Sequence, residues 1–146
     1  MASSLSMSRA EREAFLEGVH IAVLALDNAA GAPILTPVWY SYSAGGDVRI
    51  VIGKDGEKGK RVQSGQRLSL CVQTESPPYK YVTVEGPVSV ETPDWERDTR
   101  AVAERYLGAA GAKSYLAGSS KEASETNNLL LRLSPDTWRT VDYGKA

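Results

Sequence analysis

The stretch Ile34-Leu-Thr-Pro-Val-Trp-Tyr-Ser-Tyr-Ser-Ala-Gly-Gly-Asp-Val-Arg-Ile-Val-Ile52 decides the fold. Two runs rich in β-branched and aromatic residues flank a turn at Ser43-Ala-Gly-Gly-Asp47. Ile34 to Tyr42 and Val48 to Ile52 are therefore expected to pair as a hairpin. Upstream, Val19-His-Ile-Ala-Val-Leu-Ala-Leu26 reads as a first strand that ends in the turn Asp27-Asn-Ala-Ala-Gly31. Downstream come Arg67 to Gln73 and a long strand from Pro78 to about Val90, in which Gly86-Pro87 suggests a bulge or an edge. Leu129 to Leu133 and Trp138 to Tyr143 are the last strands, broken at Ser134-Pro-Asp-Thr137.

Helical signals are fewer. Ser8-Arg-Ala-Glu11 has the form of a capping box, with Phe15 and Leu16 as the apolar face behind it. The polar run after Gly53 suits a short helix that ends near Gly65. Thr92 and Pro93 open a third helix, with Ala101, Val102, Tyr106 and Leu107 on its buried side. Gly108 to Asn128 is small and polar, with room for one helical turn, and Ser119-Ser-Lys-Glu-Ala-Ser-Glu125 is expected to be an exposed, mobile loop. So few helices cannot cover both faces of a parallel sheet. The fold expected is mainly β, a mostly antiparallel barrel with a few short flanking helices.

The chain has 146 residues and 42% hydrophobic content, which fits one domain over residues 8–146 behind a flexible start at residues 1–7. Its 17 Lys and Arg nearly cancel its 18 Asp and Glu, so no strong overall field draws it to nucleic acid or a membrane surface. No apolar run approaches the roughly 20 residues that span a bilayer. No charged leader precedes a long apolar core, so a soluble, cytoplasmic protein is expected. The single cysteine, Cys71, cannot form an intrachain disulfide or a thiolate metal cage, and it reads as a small core residue. With His20 the only histidine, no metal site is expected.

One segment carries a possible chemistry of its own. Gly53-Lys-Asp-Gly-Glu-Lys-Gly-Lys-Arg61 lies between a strand end and a helix start, where free backbone N–H groups favour an anion. Lys54, Lys58 and Lys60 supply charge, and Gly56 and Gly59 admit a close approach. The same run could equally be a solvated basic turn. Thr36-Pro-Val-Trp-Tyr40 could wall a planar ring, or simply be core, and Tyr79-Lys-Tyr81 is open in the same way. No serine-hydrolase elbow and no carboxylate pair is present.

Taken in order, Ile34–Tyr40, Val48–Lys54, Glu57–Val62, Arg67–Val72 and Tyr81-Val-Thr-Val-Glu-Gly-Pro-Val88 resemble the pyridoxamine-phosphate-oxidase-like split barrels. More narrowly, they are similar to the actinobacterial flavin and deazaflavin oxidoreductases. The resemblance is clear over about residues 15 to 92 and looser beyond. It implies a split β-barrel homodimer with two cofactor sites at the interface. It implies that Thr36, Pro37, Val38 and Trp39 lie along the cofactor ring, and that Ile52 and Gly53 pass beside the ring and its side chain. Lys58 and Lys60 would grip the phosphate, with Gly59 between them and Lys54 as a weaker contact. Tyr81 stands where relatives that bind flavin mononucleotide (FMN) often have glutamine, and Glu57 stands where a basic residue is usual. The arginine and histidine that bind substrate in true pyridoxamine phosphate oxidases are missing from Asp142-Tyr-Gly-Lys-Ala146.

The resemblance thus favours the deazaflavin coenzyme F420, with FMN as the alternative. The activity it implies is hydride transfer to a small unsaturated or oxidised organic substrate, with the cofactor carrying the reaction. A non-catalytic cofactor- or haem-binding barrel is the reading from another class, and for haem only His20 offers an obvious axial nitrogen.

Overall fold

The structure, a computed structural model, describes residues 4–146. Its strands are β1 (Ala22–Leu26), β2 (Ile34–Val38), β3 (Val48–Gly53), β4 (Arg67–Gln73), β5 (Lys80–Glu91), β6 (Asn128–Leu133) and β7 (Thr137–Asp142). They form one antiparallel sheet in the order β2-β1-β4-β5-β6-β3, with β7 also on β5. The sheet curls into a split barrel because β3, at the far end of this order, returns to the chain just after β2 through a single bridge between Ser41 and Arg49.

That bridge is all that remains of the expected hairpin. β2 ends at Val38 and pairs with β1, whereas β3 pairs with β6, so the two runs on either side of the glycine turn are divided between opposite ends of the sheet. Local turn chemistry brings the strands near one another. Burial of Val48, Ile50 and Ile52 against distant strands then decides their partners.

β5 spans both parts of the barrel. One edge pairs with β4 along Tyr81–Pro87 without interruption, so the irregularity expected at Gly86-Pro87 lies on the other edge. The other edge is shared, with Lys80–Glu85 on β7 and Val88–Glu91 on β6. Gly86 is the changeover point: a Cβ there would overlap the Ser134 carbonyl of the β6–β7 connection. The glycine is needed for a close backbone approach.

The core follows the strand period of two. Leu68, Leu70 and Val72 on β4, and Val82, Val84 and Val88 on β5, are buried with Ile50, Leu131 and Leu133. Each such side chain contributes about 1.5–3 kcal/mol by leaving water. Helix α1 (Arg9–Glu17) keeps the expected capping box and buries Leu16. The segment before it is bonded to β7 over part of its described length. Met7 is buried, its N–H bonds the Thr140 hydroxyl at 2.9 Å, and the Leu5 carbonyl accepts from the Asp142 N–H at 2.8 Å. Residues 1–3 lie outside the described residues.

The flank between β5 and β6 is more helical than expected. Helix α2 (Glu57–Arg61) is one short turn after β3. A π-helical turn (Trp95–Arg100), capped by Asp94 rather than Thr92, leads into α3 (Ala101–Leu116), and α4 (Lys121–Asn127) follows. The expected exposed loop is therefore largely helix. Ala103 and Ala112 are the buried residues of α3, while Ala101 and Leu107 are exposed. Among the described residues no helix is long and apolar enough to cross a membrane, and no group of three or more His, Cys, Asp or Glu side chains could hold a metal ion.

Candidate functional site

Helix α2 turns back against the end of β3. A Cβ on Gly59 would overlap the carbonyls of Gly53 and Lys54, so only glycine lets the turn fold this tightly. The fold directs Lys58 toward β2, where its ammonium donates to the Thr36 hydroxyl at 3.4 Å. Lys54 and Lys60 stay exposed. Among the described residues none of these three lysines is ion-paired, and Glu57 is held instead by Arg61 at 3.7 Å. The basic turn, Thr36 and the Ile52–Gly53 backbone are thus neighbours on one side of the barrel.

Next to them lies a cleft of about 570 Å³ between the outer face of β3 and the helical flank. Trp39, Ile52 and Gly53 line it, together with Thr99, Val102, Tyr115, Leu116 and Asn128. Of the ring-flanking residues expected from the sequence, the cleft therefore takes Trp39, Ile52 and Gly53. Thr36 and Val38 are half-buried on β2, and Pro37 points outward with Leu35. Trp39 is stacked on Tyr106 with ring centroids 4.9 Å apart and an interplanar angle of 5°. Tyr106 is itself fixed: its hydroxyl donates to the His20 carbonyl at 2.7 Å and accepts from the Tyr40 N–H at 3.1 Å.

Beneath the cleft, Arg49 and Asp98 form a two-bond ion pair at 2.8 and 3.0 Å, with the Asp98 side chain only 1% exposed. Asp98 also accepts the Asp94 N–H at 2.8 Å. This pair ties β3 to the helical flank, and it was not foreseen. An arginine inside the otherwise apolar Val48-Arg-Ile-Val-Ile52 was the available signal, since a charge on a covered strand needs a partner.

Tyr81 does not join this group. It lies on the outward face of β5, with Gln73 and Val141 as its register partners, on the same face as an apolar groove. That groove, about 910 Å³, runs over β2, β1 and β4 past Leu35, Val23 and Cys71. Leu35 and Val23 are 66% and 39% exposed, and Cys71 is half-buried on this face rather than in the core. His20, at the groove's rim, is stacked on Phe15 and bonded through Nε2 to the Phe15 carbonyl at 3.0 Å. Burial holds its pKa below the usual histidine value.

The architecture is shared with solved structures. A conserved hypothetical protein from Mycobacterium tuberculosis superposes with a TM-score of 0.77 at 20% identity, covering 99% of this chain and 91% of that one. An FAD and haem binding protein from Mycobacterium smegmatis gives 0.69 at 20% identity, over 94% of this chain and 72% of that one. An F420 reductase gives 0.59 at 18% identity, over 87% and 94%. At these identities the likeness establishes the fold alone. No curated protein matches the chain. The family model described as pyridoxamine 5'-phosphate oxidase matches residues 8–142, nearly the whole barrel from α1 to β7, and the chain belongs to that family.

Proposed function

We propose that the protein is an oxidoreductase that uses F420 to transfer hydride to a small unsaturated or oxidised organic substrate. The observation that carries this reading is the junction of the basic turn with β2, where Lys58 reaches Thr36 beside the Ile52–Gly53 backbone and the aromatic cleft. The residues fit a phosphate-bearing cofactor with a planar ring. Lys54, Lys58 and Lys60 carry no carboxylate partner among the described residues, so they can form charge-assisted bonds to a phosphate. Trp39, stacked on Tyr106, gives the cleft an aromatic wall for a ring. When bound, the cofactor would supply two electrons as hydride, and the protein would supply position and charge.

Residues 8–146 act as one unit in this reading, because one sheet and one core run from α1 to β7. The apolar face over β2, β1 and β4 meets a second copy of the chain, which would bring Tyr81 toward a partner's cofactor. The size of that face and the exposure of Leu35 and Val23 support the homodimer. FMN is the alternative cofactor for the same residues. His20 suits haem poorly, since its Nε2 and its ring face are both engaged by Phe15.

Titrating the purified protein with F420 and with FMN, followed by cofactor fluorescence, tests the proposal. Saturable binding of F420 at least tenfold tighter than FMN is expected. Tighter FMN binding overturns the choice of cofactor, and binding of neither overturns the site. Sedimentation at micromolar concentration should give a dimer, and a monomer alone would remove the shared interface.

A further inference from the structure

A second cavity adjoins the Trp39 cleft, with Arg49 and Val102 lining both. It is about 290 Å³ and lies between the turn that joins β2 to β3 and the start of the helical flank. The fold brings these two segments together, although 50 or so positions of chain separate them.

The charges of this cavity do not balance. The charged residues that line it are Arg49, Arg97, Arg105 and Asp47. Arg49 is answered by Asp98, and Asp47 is committed to Arg132 at 2.9 Å and to the Ser134 hydroxyl at 2.9 Å. Arg97 and Arg105 remain. The Arg97 side chain has no ion-pair partner among the described residues. Arg105 donates to the Glu17 and Gly18 carbonyls at 3.0 and 2.6 Å and lies over the Tyr40 and Tyr106 rings, all of them uncharged groups. The Glu17 carboxylate accepts the Ala44 N–H at 3.0 Å and makes no ion pair with Arg105. Two guanidinium groups without a carboxylate therefore share one small space, and Ser41 and Ser43 add hydroxyls to its lining. A half-buried cation whose contacts are all neutral gains most from a counter-charge that enters from outside.

Size and spacing narrow the ligand. The cavity falls just below the roughly 300–1,000 Å³ of sites for drug-sized molecules, and it suits a ligand of a few carbons. Arg97 and Arg105 are separated by about two helical turns, so their side chains enter the space from different points along the flank. One compact anion fills one guanidinium fork, whereas two carboxylates on a short chain can fill both. We propose that this cavity binds a small aliphatic dicarboxylate, with one carboxylate on Arg97 and the other on Arg105, and that the bound ligand ties the β2–β3 turn to the flank. The site needs no redox cofactor and stands apart from the oxidoreductase reading.

Calorimetric titration of the cofactor-free full-length protein with succinate tests it, at an ionic strength held constant with potassium chloride so that screening is the same throughout. Saturable binding is expected, at least about tenfold tighter than that of acetate or inorganic phosphate, which cannot span two forks. Arg97→Ala removes an exposed, unpaired side chain, so the fold should persist while the dissociation constant for succinate rises at least about tenfold. Arg105→Lys keeps the charge but not the fork, and should raise it about three- to tenfold. Succinate should also raise the thermal midpoint of the wild type, and do so less in Arg97→Ala. A wild type without saturable succinate binding overturns the proposal, as does acetate or phosphate binding equally tightly, or an unchanged dissociation constant in either variant.

Discussion

The barrel and its helical flank are built on different terms. Strands β1, β3, β4, β5 and β6 bury aliphatic side chains, and Leu131, Leu133, Val72, Val82 and Val84 are essentially sealed from water. The flank's α3 buries two alanines, breaks at a glycine and stands between two open spaces. Dense packing makes a scaffold that cannot adjust, because a core feels the loss of even one methylene. A wall that buries only small residues gains less from packing. The candidate site lies on the seam, with its basic turn on the barrel and its aromatic cover on the flank.

The seam itself should show the largest effect. Asp98→Ala leaves the Arg49 guanidinium under the cleft without its carboxylate, and breaking a buried pair of this kind costs about 3–5 kcal/mol. Chemical denaturation should show that loss. A loss below about 1 kcal/mol would mean that barrel and flank are not joined there. Within the barrel, Leu131→Ala should cost about 2–5 kcal/mol, whereas the same change at the half-buried Leu116 of the flank should cost much less. Equal costs would erase the contrast between the regions. Gly108→Ala forces a side chain into a conformation that only glycine accepts readily, at about 1–3 kcal/mol. Hydrogen exchange should locate that loss in α3 and leave β4 and β5 protected.

Acid acts on the barrel side. Burial holds His20 below the usual histidine value, so the unfolded chain takes up this proton first. The stability His20 contributes is complete above the ordinary pKa of 6.5 and is lost as pH falls through the folded value. Asp136, held at about 2 chiefly by its hydrogen bonds from Arg67, adds a second decline from 3.8 down to that value. The thermal midpoint should therefore fall modestly between pH 7 and 5, and His20→Gln should flatten that part of the profile. An unchanged slope in the variant would assign the effect to other groups.

Barrel and flank also differ in what their sequence reveals. The strands were legible because alternation on β4 and β5 reports burial residue by residue. Their partners were less so. Val48-Arg-Ile-Val-Ile52 looks like half of a local hairpin, yet it pairs with β6 far along the chain, and no local signal encodes such a distant ladder. Gly86 was legible as a special position, but its cause, the Ser134 carbonyl, comes from another part of the chain. The stretch after Gly108 read as loop because its alanines, glycines and serines carry no apolar period, while the structure uses their small size to form a thin helical wall. On the site, the lysine turn and Trp39 could be picked out by residue type. Asp98, Tyr106 and Tyr115 could not, since their role depends on where α3 lands on β3.

The lysine turn carries the central claim, and the double variant Lys58→Ala/Lys60→Ala tests it most directly. Neither ammonium is ion-paired among the described residues, Lys60 is exposed and the half-buried Lys58 makes one 3.4 Å bond to Thr36, so stability should change by less than about 1.5 kcal/mol. A phosphate-bearing cofactor, however, should lose two charge-assisted contacts. Titration with F420 should give a dissociation constant raised at least about thirtyfold, corresponding to about 2 kcal/mol, with the fold intact. A dissociation constant equal to that of the wild type would contradict the account, because the phosphate would then be held elsewhere or not at all.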